Sequence, residues 1–303
     1  MSVSRRVGWH PKVALQLAVS GCLMALVFLN LDISRIARLA VRPEQAPILV
    51  AALIAFNASK ILGALRLNIY QRHAAIYLGE RENLRLYYAG MFLNLCLPGG
   101  IGGDGYKVLV LHRSHCVPMR TVVGILLADR LSGMLTLVVI LCMLAPVLPP
   151  MSAILWGPST VFLCALASLA AMIAVFVLAH RRMTAFAMPQ LAKVFALGLA
   201  VQFLQLACMA MLLSYLGAPR GSYLAYLAIF LVSSVAAVLP FSVGGLGVRE
   251  ATFLLGVELF RLDPAYGVLA SSCFFLITAL SSMIGSLFLG HFSLRSASTQ
   301  EMH

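Results

Sequence analysis

The sequence predicts an all-α integral membrane protein, a polytopic helical bundle made of two inverted repeats. The membrane class follows from composition: 61% of the 303 residues are hydrophobic and 11% are charged, whereas soluble domains carry roughly 25% charged residues. The repeats follow from a glycine-rich pattern that occurs twice in the chain. We expect one membrane domain over residues 1–303, with repeat halves of approximately 1–147 and 148–303.

Eight apolar segments lie along the chain. A helix needs about 20 residues to cross ~30 Å of hydrocarbon, and the third and seventh segments are shorter than that. The prediction is therefore about six full spans and two shorter elements. The eight segments are Val13–Leu31, Ala46–Leu65, Leu84–Leu97, Thr121–Val147, Ala153–Ala179, Val194–Leu216, Tyr223–Leu239 and Ala265–Gly290.

Charge and the start of the chain bear on orientation and partners. The net charge is +12, from 22 Lys and Arg against 10 Asp and Glu. Basic residues are concentrated in the cytoplasmic loops of membrane proteins, and this placement accounts for the excess. We therefore predict no nucleic-acid partner. Arg5, Arg6 and Lys12 precede the first segment, which is long enough to span and has no clean cleavage site after it. We expect a retained first transmembrane helix with a cytoplasmic N-terminus.

A glycine-rich stretch follows the third segment and recurs after the seventh. Residues 98–107 are Pro-Gly-Gly-Ile-Gly-Gly-Asp-Gly-Tyr-Lys, and residues 240–249 are Pro-Phe-Ser-Val-Gly-Gly-Leu-Gly-Val-Arg. Glycine disfavours a helix by about 1 kcal/mol per position relative to alanine, so both stretches are predicted to be loops. The positions shared by the two loops, which we expect to shape them, are Pro98, Gly102, Gly103, Gly105, Pro240, Gly244, Gly245 and Gly247.

The distribution of Lys and Arg predicts how these loops lie in the membrane. If all eight segments span, the outside loops carry more basic residues than the inside loops, which contradicts the positive-inside rule. If the third and seventh segments enter and return on the same side, the inside loops carry the excess. Each half then has three spans and one re-entrant hairpin, and an odd number of spans makes the repeats inverted.

Charged residues within or beside the apolar segments are the candidates for binding, because a charge in the membrane is costly and usually functional. Asp104 and Lys107 lie three residues apart near an expected helix start, where free N–H groups attract anions. Arg249 occupies the repeat position of Lys107. Ion pairs that only stabilise the fold, and an arginine that reaches the head groups, are the alternatives left open. The predicted substrate-binding residues are Asn94, Asp104, Lys107, Asp129, Arg130, Arg249 and Glu250.

Two further positions refine this prediction. Asp129 and Arg130 are neighbours in the fourth segment, and side chains of neighbouring residues point about 100° apart on a helix. Each is therefore expected to meet a different partner. Lys60 lies near enough to the end of the second segment to reach the head groups, and we rank it below the other charged residues. Arg66 lies further along and is counted with the inside loop that follows the segment.

Several motifs in the sequence do not carry chemistry. Residues 100–105 satisfy G-x-G-x-x-G, but they follow an apolar membrane segment and not the strand of a dinucleotide-binding unit. The seven cysteines contain no C-x-x-C spacing and are expected to pack as small apolar residues. We predict no metal, no cofactor and no catalytic residue.

Three motifs in order link the sequence to a known family. They are Asn94-x-x-Leu97-Pro98 leading to Gly103-Asp104-x-x-Lys107, then Asp129-Arg130, then the stretch from Pro240 to Glu250. With these motifs the chain resembles the flippase-like membrane family typified by the N-terminal transmembrane region of lysylphosphatidylglycerol synthase, the multiple peptide resistance factor. The resemblance implies a multi-pass protein of the bacterial inner (plasma) membrane that moves lipids between leaflets.

The functional expectation is a flippase-like or lipid-transport protein for a polar-headed, phosphate-bearing lipid. Lys107, Arg130 and Arg249 would bind the anionic head group, while the nearby carboxylates balance charge. We expect membrane lipids as partners and no enzymatic activity, since no soluble aminoacyltransferase domain follows the eighth segment. Two alternatives are a membrane-embedded transferase acting on a lipid-linked substrate, and a non-transporting partner of an enzyme of hopanoid or aminoacyl-phospholipid synthesis.

Overall fold

A computed structural model describes residues 43–97, 102–148, 158–183, 188–237 and 248–292. Within these ranges the fold is all-helical, as predicted, with nine α-helices and no strand. The first four are α1 (Ala46–His73), α2 (Glu80–Cys96), α3 (Gly102–His115) and α4 (Met119–Leu144). The remaining five are α5 (Pro158–Met183), α6 (Met188–Leu216), α7 (Tyr223–Ala236), α8 (Val248–Leu259) and α9 (Pro264–Met283), which continues as a 3₁₀-helix over Ile284–Phe292.

Five helical stretches are long and apolar enough to cross a membrane. They are Ala46–His73, Met119–Val147, Ser159–Leu178, Met188–Leu216 and Pro264–Phe292. These correspond to five of the six predicted full spans, and the sixth, Val13–Leu31, lies outside the described residues. The chain is thus a multi-pass helical membrane protein. Helix α1 runs eight residues beyond the predicted Leu65, because polar side chains in its last turns, Arg66 and Gln71 among them, are buried by other helices.

Each of the two short predicted segments belongs to a helical hairpin. Helix α2 has 17 residues and α7 has 14, and each is followed by a second short helix, α3 or α8. Helix α2 packs against α3, and α7 packs against α8. Hydropathy does not mark α3 and α8 as apolar segments, because charged residues stand in their first turns. Re-entry of the hairpins into the membrane stays a prediction.

The first glycine-rich stretch is not wholly a loop, which corrects the expectation from helix propensity. Helix α3 begins at Gly102, so Gly102, Gly103 and Gly105 are helical. A Cβ built on Gly103 would lie 1.8 Å from the carbonyl oxygen of Gly90 on α2, so the two backbones touch where no side chain fits. Close packing therefore overrides propensity here. Residues 98–101 and 238–247, which include Pro98, Pro240, Gly244, Gly245 and Gly247, lie outside the described residues.

The order of helices in the first half recurs in the second. Met188 at the start of α6 lies 142 residues after Ala46 at the start of α1, and the two glycine-rich stretches have the same offset. Helices α7, α8 and α9 then follow in the order of α2, α3 and α4. This order supports two related halves, while their relative direction in the membrane stays a prediction.

Buried apolar side chains form two main clusters. One joins α1, α6, α7, α8 and α9 and includes Phe56, Phe230 and Phe274. The other joins α1 to α4 and includes Leu67 and Leu111. Because lipid tails are as apolar as these side chains, such clusters stabilise a membrane bundle through close packing more than through removal from water. The polar side chains described next lie among them.

Candidate functional site

Three of the predicted site residues meet where α3 packs on α4. Asp104, in the first turn of α3, forms an ion pair with Lys107 one turn later, with 3.7 Å between Oδ1 and Nζ. The other oxygen of the Asp104 carboxylate accepts a hydrogen bond from Nε of Arg130 on α4. The predicted i,i+3 pairing of Asp104 and Lys107 is therefore present. One carboxylate faces two cations, which leaves the cluster with one excess positive charge.

Lys107 is enclosed by the α2–α3 hairpin. Only 9% of its side chain is exposed, and its Nζ lies 4.6 Å from the centroid of the Tyr87 ring, a cation–π contact. Its stem passes over Gly90, where a Cβ would lie 2.5 Å from the Lys107 Cε. Gly90 therefore makes room both for the Lys107 side chain and for the backbone of Gly103.

Asn94 joins the two helices of this hairpin. Its Oδ1 accepts a hydrogen bond from the backbone N–H of Gly103 at 2.8 Å. The first N–H groups of a helix have no partner within the helix, so Asn94 satisfies one of them from the preceding helix. The structure thus gives Asn94 a positioning role for α3, and its amide nitrogen remains available to another acceptor.

Asp129 and Arg130 face different partners, as predicted. Asp129 accepts a hydrogen bond from Nε of Arg66 on α1 at 2.8 Å, and only 13% and 8% of the two side chains are exposed. The guanidinium lies over Gly133 of α4 and Gly198 of α6, where a Cβ would lie 3.2 Å and 3.5 Å from Arg66 Nη1. Arg66 and Asp129 therefore form a buried pair that ties α1 to α4.

The sequence assigns Arg66 to an inside loop, whereas the structure places it in α1 with 7% exposure. The positions of the two residues along their helices could have identified Arg66 as the partner of Asp129. Arg66 lies seven residues before the end of α1, and Asp129 lies ten residues after the start of α4. If the α2–α3 hairpin returns to the side that it left, these residues sit at similar depth. A carboxylate at that depth needs a cation, and Arg66 is positioned to supply it.

Arg249 and Glu250 stand in the first turn of α8, and within the described residues Arg249 lacks the ion pair that its repeat counterpart Lys107 forms. The Arg249 guanidinium carbon lies 5.0 Å from the Phe274 ring centroid and 5.5 Å from that of Phe230. No carboxylate of the described residues lies within 4 Å of this guanidinium. Glu250 is 1% exposed and accepts a hydrogen bond from Ser271 Oγ at 3.2 Å. Arg249 thus matches Lys107 in sequence position but not in charge balance.

Lys60 lies over a third aromatic ring, Phe56, which packs against Phe274. Its Nζ is 4.4 Å from the Phe56 ring centroid, and Phe56 meets Phe274 edge-on at 5.4 Å. Lys60 and Arg249 therefore flank one connected set of aromatic rings. Lys60 also lines a cavity of about 190 Å³ together with Met91, Asn94, Leu95, Thr278 and Ser282.

A larger groove of about 770 Å³ runs between α2, α3 and α4. Its walls are apolar, and Asp104 and Arg130 provide its charged part. Arg130 is the most accessible ion-paired side chain of this region, at 35% exposed. On α2, Leu93 and Leu97 line the groove, whereas Asn94 lines the small cavity. The last turns of α2 therefore separate the groove from the cavity.

The predicted site residues are distributed over three places. Asp104, Lys107 and Arg130 form one cluster with Asn94 nearby, Asp129 pairs with Arg66, and Arg249 and Glu250 lie in the second half. Among the residues that the structure describes, no group of three or more His, Cys, Asp or Glu is arranged to bind a metal ion. The roles of these residues in substrate binding stay predictions.

Comparison with known proteins places this arrangement in a family. The model of the family described as lysylphosphatidylglycerol synthase TM region matches residues 13–285. No curated protein sequence matches the chain. The family match covers both glycine-rich stretches and all seven predicted substrate-binding residues. The chain therefore belongs to the family of the lysylphosphatidylglycerol synthase transmembrane region.

Proposed function

We propose that this protein transports an anionic, polar-headed lipid between membrane leaflets, in the manner of a flippase. Membership of the family relates the chain to membrane lipid synthesis or transport. The observation that carries the proposal is the groove between α2, α3 and α4, which joins long apolar walls to a charged part. A lipid has the same two parts, so one molecule can occupy both.

The apolar walls of the groove suit acyl chains. Leu109 is 43% exposed, Val123 40% and Leu127 49%, and all three line the groove. Helix α4, which carries two of them, is one of the stretches long enough to span the membrane. Acyl chains can therefore enter from the surrounding lipid while staying in an apolar environment.

The charged part of the groove suits an anionic head group. Asp104 is shared between Lys107 and Arg130, and Arg130 is the more exposed of the two cations. A phosphate oxygen can accept hydrogen bonds from the Arg130 guanidinium while Asp104 stays with Lys107. We therefore place the head group at Arg130 during transfer, with the tails left in the groove.

We propose no chemical conversion of the lipid and place the protein in the bacterial inner membrane with a cytoplasmic N-terminus. A transferase would need Asp104 or Asp129 as a base, and both carboxylates are bound by arginine side chains. That arrangement favours charge balance over proton transfer. The third candidate role, recruitment of an enzyme of lipid synthesis, predicts function that survives loss of the groove charges.

Reconstituted liposomes test this proposal. The full chain is inserted into vesicles that contain fluorescent phosphatidylglycerol or phosphatidylcholine, and the label in the outer leaflet is quenched by dithionite. We expect protein-dependent transfer that is faster for the anionic lipid, and about tenfold slower transfer for Arg130→Gln, since a charge-assisted hydrogen bond contributes about 1.5–3 kcal/mol. Arg72→Gln, on the exposed end of α1, is the control and should transfer lipid at the wild-type rate.

The opposite results identify the alternatives. Absence of transfer for every lipid class, with and without a proton gradient, would contradict the proposal. Turnover of a lipid-linked substrate in detergent, where sidedness is lost, would instead favour a transferase. Co-purification with a lipid-synthesis enzyme whose activity persists in Arg130→Gln would favour the recruiting role.

A further inference from the structure

The small cavity beside α2 contains donor groups that the fold does not use. The polar residues that line it are Lys60 of α1, Asn94 of α2, and Thr278 and Ser282 of α9, around a volume of about 190 Å³. In the described part of the chain no carboxylate lies within 4 Å of the Lys60 ammonium, whose neighbour is the Phe56 ring. Lys60 therefore has no ionic partner among the residues that the structure describes.

The orientation of the Asn94 amide is fixed by the hairpin. Its oxygen must face the backbone N–H of Gly103, to which it is hydrogen-bonded at 2.8 Å. Its NH₂ group is therefore the other end of the side chain and has no hydrogen-bond partner among the described residues, and Asn94 lines the cavity together with Lys60. Thr278 and Ser282 donate their hydroxyl hydrogens to carbonyl groups of α9 itself. The ammonium and the amide are thus the donors that remain for a ligand.

A second cation, Arg249, contributes to the positive potential near the small cavity. Arg249 does not line the cavity, but it lies within electrostatic range of Lys60, with the Phe56 and Phe274 rings between them. Its Nη1 is buried and has no hydrogen-bond partner among the described residues. Two cations within electrostatic range of each other in an apolar interior repel, and an anion near them relieves the repulsion.

We infer that this cavity is an anion site for a phosphate group, bound by Lys60 Nζ and the Asn94 amide. Phosphate oxygens accept only, and the two free groups of the cavity only donate. The cavity, of about 190 Å³, is large enough for a phosphate group and too small for the acyl chains of a lipid. The same chemistry fits free phosphate. Assignment to a lipid phosphodiester rests on the proposed function, and on the position of the cavity behind the lipid groove on α2.

Binding to the full chain in a non-ionic detergent tests the inference without requiring transport. Calorimetry with dihexanoylphosphatidylglycerol should show saturable binding that Lys60→Gln weakens by about tenfold or more, because a charge-assisted hydrogen bond is lost. Lys60→Arg, which retains the charge, should recover most of the affinity. Arg72→Gln removes one charge from the same helix away from the cavity and should bind as the wild type does.

A second variant keeps the test decisive if Lys60→Gln does not fold. Asn94→Asp keeps the oxygen that accepts from Gly103 but replaces the free donor by an acceptor with negative charge. We expect it to melt near the wild-type temperature and to lose phosphatidylglycerol binding. Wild-type affinity in folded Lys60→Gln or Asn94→Asp, or equal binding of uncharged dihexanoylglycerol, would overturn the inference.

Inorganic phosphate distinguishes the two sources of the ligand. Competition with phosphatidylglycerol at equal affinity assigns the cavity to free phosphate, whereas binding of the lipid alone assigns it to a head group. Because this experiment measures equilibrium binding, its failure leaves the transfer assay of the proposed function unaffected. A failed transfer assay likewise leaves the phosphate site standing if binding depends on Lys60.

Discussion

The buried arginines of the two halves of the chain have different surroundings. Arg66 in the first half is paired with Asp129 and fits over glycines of α4 and α6. Arg249 in the second half lies on the faces of Phe230 and Phe274, with no carboxylate of the described residues within 4 Å. A paired charge ties helices together, whereas an unpaired charge in an apolar interior remains available to an anionic ligand. We propose that this asymmetry separates structural from functional charges.

The largest expected effect on stability comes from breaking the ion pair between Arg66 and Asp129. Asp129→Asn leaves Arg66 charged and buried without its counter-ion, which should lower the free energy of unfolding by about 3–5 kcal/mol. Thermal unfolding of the purified protein in detergent measures this change. The double variant Arg66→Met with Asp129→Leu removes both charges and should recover most of the lost stability. If Asp129→Asn melts like the wild type, the pair does not tie α1 to α4.

The next largest effect on stability is expected at Gly103, where α3 packs against α2. Gly103→Ala places a methyl group against the Gly90 carbonyl, and separating the two helices should cost about 1–3 kcal/mol. Gly105→Ala is the matched control, because nothing lies within 4 Å of a Cβ at that position of the same helix. It should be neutral or stabilising by up to about 1 kcal/mol. Equal melting temperatures for the two variants would show that α2 and α3 do not touch at Gly103.

Arg249→Gln removes the buried arginine that has no ion pair among the described residues. We expect it to slow lipid transfer without lowering the stability of the protein. Removing a buried cation that has no carboxylate of the described residues within 4 Å should leave the melting temperature unchanged or raise it, the opposite of the result for Asp129→Asn. Transfer of anionic lipid should fall by about tenfold, since one charged contact is lost. A loss of stability as large as that of Asp129→Asn would instead make Arg249 a structural residue.

The smallest effect on stability is expected for Arg130. Its ion pair with Asp104 is partly exposed, and pairs of this kind contribute about 0–1 kcal/mol. Arg130→Gln should therefore melt within a few degrees of the wild type even though it slows lipid transfer. If it unfolds the protein, the Asp104–Arg130 pair belongs with Arg66 and Asp129 among the structural charges.

The sequence predicts local relationships and misses those that depend on how helices meet. The contact of Asp104 with Lys107 follows from i,i+3 spacing, and the separate partners of Asp129 and Arg130 follow from helical geometry. Arg66 was not identified as the partner of Asp129, because their common depth depends on the path of the hairpin between them. Gly103 was assigned to a loop, because propensity contains no information about Gly90.

Lys60 is another residue whose surroundings depend on how distant helices meet and are therefore missed by the sequence. Its hydropathy context near the end of a segment predicts a side chain that reaches the head groups. The structure places it on Phe56, which packs against Phe274 of the other half, and no local sequence pattern contains this contact. The family itself could be identified, since its motifs are short, ordered and local, and the match over residues 13–285 confirms it.

One comparison tests the separation of structural from functional charges most directly. Two double variants are reconstituted in the same vesicles, Lys60→Gln with Arg249→Gln, and Arg66→Met with Asp129→Leu, and transfer of fluorescent phosphatidylglycerol is measured for each folded protein. We predict that the first loses transfer while keeping its melting temperature, and that the second retains transfer. Normal transfer by the first variant, or its loss only in the second, would contradict the assignment of the unpaired cations to lipid binding.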